Sequence, residues 1–216
     1  MKNRLAIIGS GALGQQIAHW ALQDQQYDIA GYYDDFQLAG KTVNSIPVLG
    51  PLSAILDDFK KEVFDVVLIG IGYNHMNFRE ETFQRFYGQV PFGKLIHSSC
   101  FVDDTASIGE GSVLYPRSVI DRNAKIGMNV LLNLQCIISH DSNIAAHSFL
   151  SPGVICSGFV NIYKKCNLGT GTIIVDNIDI KASIRSGAGT VITKNIDLGG
   201  LYVGVPATLK KTYDTL

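Results

Sequence analysis

From residue 102 to residue 192 an aliphatic or small residue recurs at every sixth position without a slip, from Val102, Ile108, Leu114 and Ile120 through Ile138 and Cys156 to Ser186 and Ile192. A second, mostly small position follows each by four residues, among them Ala106, Ser112, Ser118, Ala124, Val130, Cys136, Ser142 and Val160. A period of six matches neither a helix nor a simple strand, so it marks an architectural repeat. The pattern predicts a parallel β-helix in which each hexad forms one flat side and three hexads close a coil. The final stretch, LGGLYVGVPATLKK, leaves the register and is predicted to cap the end of the coil, as solenoids require.

The first part of the chain has a different pattern. LAIIG reads as a short buried strand, residues 15–22 as a helix and residues 28–33 as a second strand. SAILDDF is helical in pattern, FDVVLIGIG is a third buried strand, and residues 77–87 form an amphipathic helix. This alternation predicts a small α/β domain with a parallel sheet. The expected organisation is a Rossmann-like domain over residues 1–96 followed by a β-helix domain over residues 97–216, joined at KLIHSSC without a flexible linker.

Composition narrows the possible partners. The net charge is −1 and there is no basic run, which argues against nucleic acid. The four cysteines show no CxxC spacing, and three fall on inward repeat positions, where Cys acts as a small apolar filler. A reducing, cytoplasmic location follows as the expectation. Gln15 and Gln16 interrupt the apolar start too early for a signal peptide, and no apolar run reaches the length of a membrane span.

The strand-to-helix segment Gly9-Ser10-Gly11-Ala12-Leu13-Gly14 is a GxGxxG turn. Glycines there let backbone amides approach phosphate oxygens at a helix N-terminus, so Gly9, Gly11, Ala12 and Gly14 are candidate phosphate contacts. Asp34 and Asp35 end the next strand, about 20 residues on, where an acid can bind ribose hydroxyls. About 95 residues suffice for one mononucleotide-binding half, so a single nucleotide or nucleotide sugar fits better than NAD. Gly72 and Asn74 end the third strand at the same sheet edge. His75 and Arg79 are near enough to contribute, although lone residues of these types are usually surface groups.

The second candidate site lies on the repeat. His140 is the third residue of its hexad, and one coil of eighteen residues further on the equivalent residue is Gly158. Stacked strands are about 4.8 Å apart, so the two should be neighbours. A base beside an amide without a side chain suits acyl transfer: the base takes a proton from the nucleophile and the N–H steadies the oxyanion. Asp141 can fix the imidazole tautomer, and Asn133 is a further polar residue near this surface. His147 falls at another hexad phase, which argues against a two-histidine metal site, so no metal is expected.

Taken together, GSGALG, YYDDF, KLIH, the hexads, ISHDS, CSGFVNI and YVGVPAT resemble the sugar acyltransferases typified by the bacillosamine-pathway N-acetyltransferase and the sialic acid O-acetyltransferases. The resemblance covers essentially the whole chain. It implies a left-handed β-helix and a homotrimer with acetyl-CoA between neighbouring coils. It also implies His140 as general base, Asp141 as its orienting acid, and Gly158 as donor to the thioester carbonyl. Asp34 and Asp35 would hold the nucleotide. The C-terminal segment, with Gly204, Pro206, Ala207, Lys210 and Lys211, would lie near the coenzyme. Two departures stand out: Asp141 replaces the Glu frequent in the family, and GIGYNHMNFRE is longer than its GNNxxR-type turn.

The implied activity is acetyl-CoA-dependent N-acetylation of a nucleotide-linked 4-amino-deoxysugar for surface glycans. The alternatives are a sialic-acid-type O-acetyltransferase and a non-catalytic nucleotide-binding β-helix trimer. A dedicated nucleotide-binding half favours an amino sugar activated as its nucleotide over free sialic acid, which carries no nucleotide.

Overall fold

The computed structural model describes residues 2–213, which fall into two compact units divided between Leu95 and Ile96. No helix among the described residues is long and apolar enough to cross a membrane.

The first unit is built on strand β1 (Arg4–Ile8), whose last four residues are fully buried between two neighbours. Helix α1 (Ala12–Gln23) follows, burying Leu13, Gly14, Ile17, Ala18 and Ala21 at the three-and-four spacing of one helix face. Then come β2 (Asp28–Tyr33), β3 (Thr42–Val43), β4 (Ile46–Gly50), α2 (Ile55–Lys60), β5 (Val66–Ile69) and α3 (Met76–Phe86). The strand order is β3-β4-β2-β1-β5. Strands β4, β2, β1 and β5 are parallel, whereas β3 pairs antiparallel with β4. The sheet is therefore mixed, a correction to the parallel sheet expected from the sequence. The missed hairpin is short, contains Pro47, and turns through Asn44 and Ser45, both left-handed, too brief a pattern for alternation to register.

After β1 the chain moves to one side through β2 and β4 and then crosses to the other side for β5. The order thus reverses between β1 and β5, and in such sheets ligands bind outside the carboxyl ends of the strands at this point. The GxGxxG turn, the Asp34–Asp35 pair and Gly70–Gly72 all follow carboxyl ends of these three strands.

In the second unit each hexad contributes a two-residue strand, and strands eighteen residues apart pair in parallel. Three faces result. The first carries strands such as Val119–Ile120, Ile137–Ile138, Ile155–Cys156 and Val191–Ile192; the second Lys125–Ile126, Asn143–Ile144 and Asn161–Ile162; the third Leu131–Leu132, Phe149–Leu150 and Asn167–Leu168. The hexad positions from Leu114 to Ile180 are buried in one continuous core, while Val102 and Ile108, on the first coil, are only partly covered. Serines at the small positions are buried but satisfied. The Ser142 hydroxyl donates to Ser157 O at 2.9 Å and accepts from the Val160 amide at 3.1 Å. Cys136, Cys156 and Cys166 fill the same interior as free thiols, and burial raises the pKa of Cys136 and Cys166 to about 12, which keeps them protonated and unreactive.

Corners are made by left-handed residues at every sixth position, including Asn123, Asn129, Gln135, Asp141, His147, Phe159 and Asn177. A hairpin follows the last hexad. Gly200–Val203 adds to the third face and pairs antiparallel with Thr208–Thr212, while Gly204 O and the Ala207 amide bond Val191 on the first face.

Candidate active site

The carboxyl ends of β1, β2 and β5 frame a cleft of about 440 Å³, within the ordinary range for small-molecule sites. Gly9, Gly11, Asp34, Asp35 and Gly72 line it, as do the apolar side chains of Phe36, Leu52, Ile71 and Phe78. The three motif glycines divide the work. Gly9 is left-handed at φ +101° and makes the turn. A Cβ on Gly14 would stand 2.0 Å from Gly9 O, and one on Gly70 would stand 2.5 Å from the Gly14 Cα, so Gly14 and Gly70 permit the close packing of α1 beneath the strands. Gly11 has nothing within 4 Å of its Cβ position and borders the cleft. It caps α1, whose first turn carries no acidic residue and no side-chain cap, so the positive end of the helix is left for an anion.

The acidic pair is engaged differently from the sequence expectation. Asp34 Oδ2 accepts bonds from the Ser10 amide (2.8 Å) and hydroxyl (2.6 Å), and Oδ1 accepts from the Phe36 amide at 2.8 Å. Burial alone would raise the Asp34 pKa, but these bonds outweigh it and hold the carboxyl below its usual range. Asp34 therefore fastens the glycine turn to the end of β2. Asp35 is exposed, lines the cleft and uses Oδ1 to accept the Leu52 amide at 2.8 Å, so of the pair it is the better candidate for a ribose.

Arg79 corrects a second expectation. It is fully buried, and its guanidinium donates to Ile69 O at 3.0 Å and Ile71 O at 3.1 Å. It shapes the loop after β5 from within and is not a surface contact. His75 lines the cleft, whereas Asn74 and Ala12 are exposed outside its lining.

On the coil, His140 and Gly158 occupy the corner between the first and second faces, one rung apart. A Cβ on Gly158 would lie 2.8 Å from His140 Nε2 and 2.7 Å from Cε1. The imidazole thus fills the space that the glycine leaves. His140 Nδ1 stands 3.0 Å from Asp141 Oδ2. A carboxylate only accepts, so Nδ1 carries a proton, and in the neutral ring the lone pair is then on Nε2. Asp141 is itself held: Asn123 Nδ2 donates to Oδ1 at 3.0 Å, and Arg122 Nη2 is 3.6 Å from Oδ2. The Asn123 bond, then the His140 bond, then the charge of Arg122 hold this carboxyl below its ordinary pKa, hence ionised at neutral pH. Among the described residues the Gly158 N–H meets no acceptor in the chain, whereas Gly158 O receives the Asn177 amide at 3.1 Å. An imidazole, a carboxylate bonded to its Nδ1 and an open amide donor are therefore assembled at one corner.

Other predicted residues lie elsewhere on the coil. Asn133 belongs to the preceding corner, at the far end of the 137–138 strand, and its Oδ1 accepts the Leu134 amide at 2.8 Å. His147 is buried at the following corner with its Nδ1 3.0 Å from Asn129 Nδ2. The hairpin bearing Lys210 and Lys211 extends the third face, opposite the His140 corner. Its turn, with Gly204, Pro206 and Ala207, is tied to Val191, three rungs from Ile137 or about 14 Å along the coil at the usual strand spacing. Among the described residues no group of three His, Cys, Asp or Glu is arranged to hold a metal ion. Sequence reading missed Asn123, Ser10 and the aromatic lining of the cleft. Asn123 could have been found by subtracting one coil from Asp141.

Residues 4–86 match the family described as the PglD N-terminal domain, and residues 96–197 match that described as the GMPPB C-terminal domain. No curated protein sequence matches the chain significantly. The acetyltransferase domain of PglB from Neisseria gonorrhoeae FA1090, solved in complex with acetyl coenzyme A, is 28% identical with a TM-score of 0.88, covering 97% of this chain and 100% of that one. WeeI from Acinetobacter baumannii AYE is 27% identical with a TM-score of 0.81, covering 95% and 99%. PerB from Caulobacter crescentus, in complex with CoA and GDP-perosamine, shares the fold at 24% identity and a TM-score of 0.84, covering 95% and 96%. These matches support, over both units, the resemblance read from the motifs: this chain has the architecture of the sugar acyltransferases, a Rossmann-like unit followed by a hexad-repeat β-helix.

Proposed function

We propose that the protein is an acetyl-CoA-dependent N-acetyltransferase acting on a nucleotide-linked amino-deoxysugar, a precursor of surface glycans made in the cytoplasm. The observation that carries the reading is the His140–Gly158 corner, where Nε2 lies 2.8 Å from the Cβ position that glycine leaves empty. A thioester carbonyl bound there would have a base on one side and an N–H donor on the other. His140 Nε2 removes the proton from the sugar amine as its nitrogen attacks the acetyl carbonyl. The Gly158 N–H donates to the carbonyl oxygen as that oxygen gains negative charge. Asp141 holds Nδ1–H and stabilises the imidazolium, which returns the proton to the departing sulfur.

The cleft of the first unit would hold the nucleotide, with its phosphates at Gly11 and the start of α1 and its ribose near Asp35. Acetyl-CoA would lie between neighbouring coils of a homotrimer. In support, one chain carries Lys210 and Lys211 on the face opposite His140, so a second copy would be needed to bring these two lysines to a coenzyme at this corner. The test is to follow thiol release from acetyl-CoA with nucleotide-linked 4-amino-6-deoxyhexoses and, separately, with sialic acid. Turnover with an amino sugar is the expected result; turnover with sialic acid alone would replace this reading with O-acetylation.

A further inference from the structure

The corner column next to the candidate base contains one residue that the fold does not explain. Asn123, Asp141, Phe159 and Asn177 stack at eighteen-residue intervals, all left-handed, with φ of 57°, 59°, 57° and 59°. Asn and Asp tolerate this conformation because their short polar side chains bond locally; a bulky aromatic does not. Phe159 is also half exposed and lies outside the buried core of the coil. The position thus carries both backbone strain and a wet apolar ring, and such strain gathers at functional sites. The ring is set edge-on to the His140 imidazole, with centroids 5.3 Å apart and planes at 87°, and it directly follows Gly158.

We propose that Phe159 is a specificity-determining residue whose ring packs against the apolar C–H face of the acceptor pyranose. This rests on the acetyltransferase reading above. A flat apolar surface this close to the imidazole meets whatever carries the nucleophile. It is broader than an acetyl methyl group needs, and the adenine of CoA lies a whole pantetheine arm from the reacting carbon. A deoxysugar, with a methyl in place of a hydroxymethyl group, exposes more of the apolar surface that such a ring covers.

The test is Phe159→Asn, which gives the corner the residue found one coil to either side of the Asp141–Phe159 pair. The expected result is an unchanged or higher Tm, because the strain is relieved, together with a rise of about tenfold in KM for the nucleotide amino sugar. KM for acetyl-CoA and the affinity for the free nucleoside diphosphate should stay within twofold, which locates the loss at the sugar ring. Phe159→Tyr should restore KM and Phe159→Leu should not. An unchanged sugar KM in Phe159→Asn would overturn the inference, as would dissociation of the oligomer, which would make Phe159 an interface residue. If the wild-type enzyme turned over no nucleotide amino sugar, the functional reading and this inference would fall together; wild-type turnover with an unchanged KM in the variant sinks the inference alone.

Discussion

His140 and Gly158, eighteen residues apart in sequence, share one space: a methyl group on Gly158 would stand 2.7 Å from the imidazole Cε1. The glycine is not in the left-handed region, so an alanine there meets no backbone strain and its whole effect falls on the ring. Gly158→Ala should therefore push the imidazole off its line and lower kcat by at least tenfold, with Tm nearly unchanged. Steady-state kinetics alongside a thermal melt checks this; full activity would mean that the ring's present position is unimportant.

His140→Ala should cost about two orders of magnitude in kcat, the usual scale for losing a general base. The side chain is 43% exposed at a corner, outside the core, so stability and activity should separate. Near-wild-type turnover would remove His140 from the mechanism.

Asp34 should show itself as a pH-dependent brace. Its folded-state carboxyl sits below the ordinary value despite burial, because Ser10 and Phe36 bond the charged form. Its contribution to stability is therefore present above the unfolded value of about 3.9 and is lost as pH falls through the lower folded value. Asp34→Asn should melt below wild type at pH 7, and the gap should close as pH is lowered toward 3. A gap independent of pH would show that charge plays no part. The same variant should weaken nucleotide binding by loosening the Ser10 turn, measurable by calorimetry.

Light scattering should give three times the chain mass at micromolar concentration, as cyclic association of flat coil faces predicts. Lys210→Ala combined with Lys211→Ala should weaken CoA more than dephospho-CoA, because the difference isolates a phosphate contact. A monomer that still turns over acetyl-CoA would end the shared-site picture.

The coil was legible residue by residue because its period is strict: the neighbours of His140 follow from adding eighteen, and Gly158 was found that way. The first unit was legible only where strands and helices ran long enough to show a period. The β3–β4 hairpin was too short, and the partners of Asp34 were hidden because a carboxylate at the end of a strand can serve a ribose or a nearby amide equally well. Arg79 misled for a related reason. A sequence shows a charge but not the two carbonyls, Ile69 O and Ile71 O, that allow it to be buried. Nothing in the hexad pattern marks Phe159; its left-handed backbone and half-exposed ring belong to the structure.

Because strands from Phe101 to Ile192 pair with those eighteen positions away, changes in the length of the coil should be quantised. Adding or removing a whole coil beyond Asn177 would slide the closing hairpin by about 5 Å along the axis and leave the reacting corner untouched. The same change between Asp141 and Gly158 would part the His140 imidazole from the Gly158 amide while every hydrogen bond of the scaffold could still form. The coil acts as a ruler on which two intervals are fixed, the rung that joins Asn123 to Asp141 and the rung that joins His140 to Gly158.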